Sequence, residues 1–128
     1  MSLLIIYIIV LIIAKCCSYH EPVNYSNIER IQYNQYLGEF KYIEYIDDKE
    51  IKKISRKIQH LNLYPAQMNS LQESPTASIN IVYSDDSKKS FNIAGAMVLI
   101  TETRNNKKIK RDKYFYYVNP IKLKMIFR

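Results

Sequence analysis

The longest hydrophobic stretch of the chain lies at its N-terminus, where residues 3–14 form an unbroken apolar run. As a helix this run would extend roughly 18 Å at about 1.5 Å per residue, against a bilayer core of about 30 Å. That length is typical of the core of a secretory signal, and the small residues Cys16 and Ser18 favour cleavage before Tyr19. The basic residue Lys15 follows the run instead of preceding it, which favours the alternative of a retained helix in which Lys15 snorkels. We therefore predict that residues 1–18 are a signal peptide or an N-terminal membrane anchor.

Two adjacent cysteines follow the apolar run. Cys16 and Cys17 resemble the acylated cysteine of a bacterial lipoprotein signal, which implies lipidation at one of these thiols. The lipoprotein pattern has a small residue directly before the cysteine, whereas Lys15 precedes Cys16. Because a disulfide between neighbouring residues is strained and closes no useful loop, we expect the core to stabilise the folded part without disulfides.

Beyond this leader, the first part of the chain combines an irregular segment with strand-like patterns. Residues 19–27 show no periodicity and contain Pro22, which indicates a tether. Residues 28–36 are compatible both with a short helix that follows a capping box and with a strand, because their apolar positions also alternate. Residues 40–46 are rich in Tyr and Ile and are predicted to form a strand.

The clearest helix pattern comes directly afterwards. Asp47 can cap a helix in which Glu50, three residues later, completes a capping box. Four apolar residues then recur at helical spacing and form one stripe: Ile51, Ile54, Ile58 and Leu61. The opposite face carries four basic residues: Lys52, Lys53, Arg56 and Lys57. These features predict the main helix over about residues 48–61.

The C-terminal half is predicted to be mostly strand. Four segments have strand-like patterns: residues 78–83, 90–94, 97–101 and 114–118. The Asp- and Ser-rich residues 84–87 predict a turn that joins the first two into a hairpin, and Gly95 marks a bulge or tight bend. Residues 121–127 fit either a strand or a helix capped by Asn119.

The order of these elements predicts the architecture. Short connections between the later strands favour antiparallel pairing. We therefore predict an α+β fold for a single domain over residues 28–128. In this fold, a small antiparallel sheet of about four to five strands packs against one main helix, at about residues 48–61.

Composition limits the chemistry that the domain can perform. The chain is 48% hydrophobic and 24% charged, as in globular proteins. With 2 Gly and 2 His, it holds no Gly-rich phosphate loop and no G-x-S-x-G motif, and no Cys/His set has zinc spacing. We therefore predict no catalytic residue, metal or cofactor; a hydrolase that uses Asp47, Glu44 or His60 is a minor alternative.

Basic residues are concentrated near the C-terminus. The formal net charge is +7, yet residues 19–103 hold 9 basic and 11 acidic residues, whereas residues 104–128 hold 9 basic residues and one acid. Six of them form a candidate binding patch in a hairpin loop: Arg104, Lys107, Lys108, Lys110, Arg111 and Lys113. Such a patch contacts an acidic protein, an anionic membrane surface or nucleic acid, or it only keeps the domain soluble. For an exported domain, nucleic acid is the least expected partner.

Together these patterns predict a non-enzymatic protein of the cell envelope, periplasmic, extracellular or anchored through its N-terminus. It would act through contact with an unidentified protein partner, and inhibition of a toxin or hydrolase would suit its small size. The alternative is a membrane-associated accessory subunit that keeps its leader and touches lipid through the basic loop.

Overall fold

The computed structural model describes residues 2–36, 38–66, 75–104, 107–108 and 114–127. These residues contain three α-helices: α1 (Leu3–Cys17), α2 (Asp48–Gln59) and α3 (Pro120–Ile126). The first four strands in chain order are β1 (Ile28–Gln35), β2 (Lys41–Tyr45), β3 (Tyr64–Pro65) and β4 (Ala77–Tyr83). The other four are β5 (Ser87–Ala94), β6 (Met97–Arg104), β7 (Lys107–Lys108) and β8 (Tyr114–Tyr117).

All eight strands belong to one sheet. Seven follow one another in the order β2-β1-β4-β5-β6-β8-β3, β7 pairs with the end of β6, and every pairing is antiparallel. The predicted fold of four to five strands against one main helix is therefore wrong, because the described sheet is larger and both α2 and α3 cover it. The two shortest strands, β3 and β7, have two residues each and exist only through pairing with a longer neighbour, which no local pattern reveals.

The structure decides the two segments whose patterns fit both a strand and a helix. Residues 28–35 form a strand because pairing with β2 and β4 on its two sides places Ile31 and Tyr33 in the core. The C-terminal segment is a helix instead, since the side chain of Asn119 accepts hydrogen bonds from the backbone of Ile121 and Lys122 at 3.0 and 3.4 Å. Pro120 at the first helical position supports the same helix.

The core lies between one face of the sheet and the layer formed by α2 and α3. The apolar stripe predicted for the main helix is buried there, and the helix ends at Gln59, two residues earlier than predicted. Phe127, just after α3, is 2% exposed and stacks on the ring of Tyr33 with a centroid distance of 4.3 Å. Aromatic stacking thus joins the C-terminal end to the first strand.

Residues 19–27, predicted to be a tether, lie against the sheet. The backbones of Tyr19 and Leu63 exchange two hydrogen bonds, at 2.6 and 2.9 Å, and the Tyr19 ring stacks on Tyr116. Glu21 and Val23 are buried, at 0% and 4% exposure. The ordered contacts of the sheet therefore begin at Tyr19.

The N-terminal helix α1 differs from the rest in its surface. Residues 3–11 are all exposed, and their exposed fractions run from 45% to 85%. Among the described helices, none combines the length and the apolarity needed to cross a bilayer.

Candidate interaction surface

The structure locates the predicted basic loop in part. Arg104 ends β6, and its Nη2 atom donates to Asp85 Oδ2 at 3.1 Å in an exposed ion pair. Lys107 and Lys108 form β7, which pairs through its backbone with β6. Three members of the predicted patch lie outside the described residues: Lys110, Arg111 and Lys113. The one described side chain of this patch is therefore already paired with an acid.

Asp85 gains a low pKa from the same contacts. Hydrogen bonds from the side chain and backbone of Ser87, followed by the hydrogen bond from Arg104, lower the pKa of Asp85 from 3.8 to about 2. The turn between β4 and β5 and the end of β6 are thus held together by one ionised carboxylate.

The two cysteines predicted as lipidation sites, Cys16 and Cys17, are the last two residues of α1. The lipidation itself stays a prediction.

The outer side of the helical layer carries the largest group of described cations. Seven exposed basic residues lie on α2 and α3: Lys49, Lys52, Lys53, Arg56, Lys57, Lys122 and Lys124. The acids of α2, Asp48 and Glu50, are confined to its first turn. From Ile51 onward, neither helix carries an acid, and none of these seven cations forms an ion pair with a described carboxylate. We call the surface formed by the C-terminal half of α2 and by α3 the cationic helical surface.

An apolar ridge and a groove interrupt this charge. Ile121 and Met125 lie one turn apart on α3 and are 68% and 53% exposed, and a 3.6-residue period places a lysine on either side of them. Beside the ridge, a shallow groove of about 340 Å³ separates α3 from the end of α2. Its lining is apolar at the floor and cationic at the rim: Lys57, His60, Leu61, Lys122, Met125 and Ile126.

A short path along the chain connects the end of α1 to this groove. Leu63, which pairs with Tyr19, follows His60 by three residues, and Tyr19 follows the end of α1 by two. Since an extended chain covers at most about 3.6 Å per residue, α1 ends within about 25 Å of His60.

The structure does not bring the minor hydrolase candidates together. Asp47 is the N-cap of α2, where its carboxylate accepts from the Glu50 backbone at 3.3 Å, and His60 is the C-cap of the same helix. At about 1.5 Å per residue, these two residues are roughly 20 Å apart. Glu44 lies on the opposite face of the sheet, where a hydrogen bond from Tyr42 and another from Gln32 lower its pKa.

A buried ionic cluster connects residues 19–27 to the sheet. Lys89 Nζ lies 2.8 Å from Glu21 Oε1 and 3.5 Å from Glu102 Oε1, and it donates to the Pro22 carbonyl at 2.7 Å. Burial raises the pKa of Tyr83 to about 12, and the nearby carboxylates, first Glu102, act in the same direction. We interpret this cluster as structural, because its charges compensate one another inside the protein.

The sheet face opposite the core has a polar row across its central strands. Directly paired residues form a row across five strands: Glu44, Gln32, Asn80, Ser90 and Thr101. Several of these side chains bond to one another, as Ser90 does to Asn80 at 2.8 Å. Because these side chains bond to one another and Ser90 is buried, we interpret the row as structural.

The described residues thus form one antiparallel sheet with α2 and α3 packed on one face, and these two helices carry seven cations that have no described acidic partner. No known protein family, curated protein or solved structure matches the chain. A functional proposal therefore rests on the surfaces of α1, α2 and α3.

Proposed function

We propose that this chain is an exported, non-enzymatic protein that acts at the cell envelope through surface contacts. The observation that carries the proposal is the apolar surface of α1, on which nine consecutive residues are exposed. Exposing so much contiguous apolar surface to water is unfavourable, so the helix needs either a membrane environment or removal.

The position of the first sheet contact supports removal of the leader before Tyr19. The Tyr19 amide donates to Leu63, and a free amino group created by cleavage would still have a hydrogen to donate there. The buried contacts of Glu21 and Val23 lie beyond that bond and would stay in place. Asp47 and His60 lie at opposite ends of α2, and Glu44 lies on the other face of the sheet. Because these residues are too far apart to form one catalytic site, their positions support a function through surface contacts.

The alternative, a membrane-associated accessory subunit that keeps its leader, is supported by the continuation of α1 past Lys15 to Cys17. The two versions differ in the N-terminus of the protein that the cell accumulates.

Expression of the full chain with a C-terminal tag, followed by N-terminal mass spectrometry of each cell fraction, tests both versions. We expect an exported chain that begins at Tyr19. Ile8→Arg/Ile9→Arg should abolish export because it interrupts the apolar helix, whereas Lys88→Gln, with the same folded core, should not. A membrane-bound chain that retains residues 1–18 would select the alternative, and a soluble intracellular chain with an intact N-terminus would reject both.

A further inference from the structure

We infer that the cationic helical surface docks onto an anionic phospholipid surface, with the α3 ridge inserted among the headgroups. This inference extends the proposed function and takes its biological setting from it. It is carried by two independent features of the same surface, which are its uncompensated charge and its exposed aliphatic side chains.

The charge is asymmetric within the helical layer. Both acids of α2 lie in the first turn, whereas the part near the groove has only cations, which none of the described carboxylates neutralises. This surface has four cations, and three of them are lysines (Lys57, Lys122 and Lys124), whose apolar stems can lie along the hydrophobic interface while the ammonium groups reach phosphate. Each such residue near an anionic leaflet strengthens binding by about fivefold.

The ridge favours lipid over the other anionic partners. Ile121 and Met125 are flexible aliphatic side chains that are more than half exposed, and lysines flank them on both sides. Lysines beside exposed aliphatic side chains are also found where helices lie in the plane of a membrane interface. A single-stranded nucleic acid would instead use exposed aromatic rings for stacking, and neither described helix that forms this surface has one.

The length of chain between α1 and the groove is compatible with the same orientation. The end of α1 lies within about 25 Å of His60 at the groove, by the chain lengths that join them. The chain length therefore allows a membrane that holds α1 to contact the ridge as well.

A single tryptophan can report the docking, because the chain contains none. In the full chain, Met125→Trp places the reporter on the ridge, and Tyr42→Trp places a matched reporter on the opposite sheet face, at a residue that is 50% exposed. With phosphatidylcholine vesicles that contain phosphatidylglycerol and brominated acyl chains, we expect the ridge reporter to shift to the blue and to be quenched. The sheet reporter should not respond.

The charge contribution is tested in the Met125→Trp chain. Lys57→Gln/Lys122→Gln should weaken phosphatidylglycerol-dependent binding by about 25-fold, at about fivefold per lysine. Lys88→Gln/Arg104→Gln removes the same charge elsewhere and should weaken binding less than twofold. Circular dichroism and urea unfolding of each variant verify that it is folded.

Several results would overturn the inference. Equal quenching of both reporters would mean that α1 alone holds the chain on the vesicle, and equal losses in the two charge variants would mean that only net charge matters. Displacement of the vesicles by polyglutamate or single-stranded DNA would assign the surface to polyanions in general. Because the measurement uses purified chain, failed export with intact quenching would reject the proposed function alone, and the reverse result would reject docking alone.

Discussion

Lys89 places an ammonium group on the core-facing side of the sheet, where only nearby acceptors can replace its lost hydration. It is 6% exposed, and Glu21, which faces it, is completely buried. Burial of such a pair gives little net stability, but removal of one partner leaves an uncompensated charge inside the protein.

We expect Lys89→Met to lower the free energy of unfolding by about 3 to 5 kcal/mol, because the Glu21 carboxylate loses its closest cation. Urea unfolding measures the change. The double variant Glu21→Leu/Lys89→Met should recover much of the loss, since it removes both charges. If the losses measured for Lys89→Met and for Glu21→Leu simply add in the double variant, the two residues are not coupled.

Asp85 gives the stability a defined acid dependence. Its pKa is lowered from 3.8 to about 2 in the folded chain, so its contribution is present above its ordinary pKa and is lost as the pH falls toward 2. As the pH is lowered from 3.8 to about 2, we expect the unfolding midpoint of Asp85→Asn to fall less than that of the unchanged chain. The control is Asp48→Asn, which replaces an exposed acid in the first turn of α2 and should have a smaller effect. An unchanged acid profile in Asp85→Asn would contradict the assignment.

At the scale of elements, two turns determine how β5 is connected to its neighbours. The turn after β4 has Asp86 at a φ of 67°, and the turn after β5 has Gly95 at a φ of 63°. The first is a three-residue connection that ends in a left-handed residue, and the second is a two-residue connection that begins with one. Both positions favour glycine, but only the second has it.

We therefore expect Asp86→Gly to stabilise the chain by roughly 0.5 to 1 kcal/mol, because relief of left-handed strain exceeds the entropic cost of glycine. Gly95→Ala should destabilise it by about 1 kcal/mol or more for the converse reason. Thermal unfolding of both variants checks the opposite signs. Destabilisation by both changes would show that side-chain contacts of Asp86 matter more than its backbone.

The elements that the sequence predicted well are those whose pattern is local. The main helix has its cap at Asp47 and its stripe of isoleucines within one segment, and the structure has α2 at Asp48–Gln59. The hairpin of β4 and β5 was likewise predicted from alternation on both sides of a turn. By contrast, α3 has lysines that alternate with apolar residues, so its local pattern fits a strand as well as a helix, and Asn119 and packing decide.

At the scale of the whole molecule, the C-terminal end closes the core over the first strands. Phe127 stacks on Tyr33 of β1, and Lys41 at the start of β2 donates to the Phe127 carbonyl at 3.3 Å. These contacts join parts of the chain that are far apart in sequence.

We expect Phe127→Ala to lower the free energy of unfolding by about 3 to 5 kcal/mol, because it leaves a large cavity beside Tyr33. Met125→Ala, two residues earlier on the exposed ridge, should change it by less than about 0.5 kcal/mol. Chemical denaturation with both variants provides the comparison. Similar small losses would mean that the C-terminal end contributes little to the core.

The cationic helical surface is not the basic patch that the sequence predicts, and that patch stays a prediction. The sequence predicts a basic patch between Arg104 and Lys113. The cations of the helical surface lie instead on α2 and α3, which are separated by about half of the chain. The one local indication was the spacing of Ile121 and Met125 among lysines, which becomes meaningful only once that segment is known to be helical. A count of charges along the chain cannot show which of them share a surface.

The sequence by itself determined the apolar leader, the main helix, the central hairpin and the excess of positive charge, because each follows from backbone periodicity or from composition. Only the tertiary structure decided the order of the strands, the pairing of Lys89 with Glu21 and the meeting of α2 with α3. Those features depend on contacts between residues that are distant in sequence. Their free energy exists only after the chain has closed the intervening loops, so no local pattern contains it.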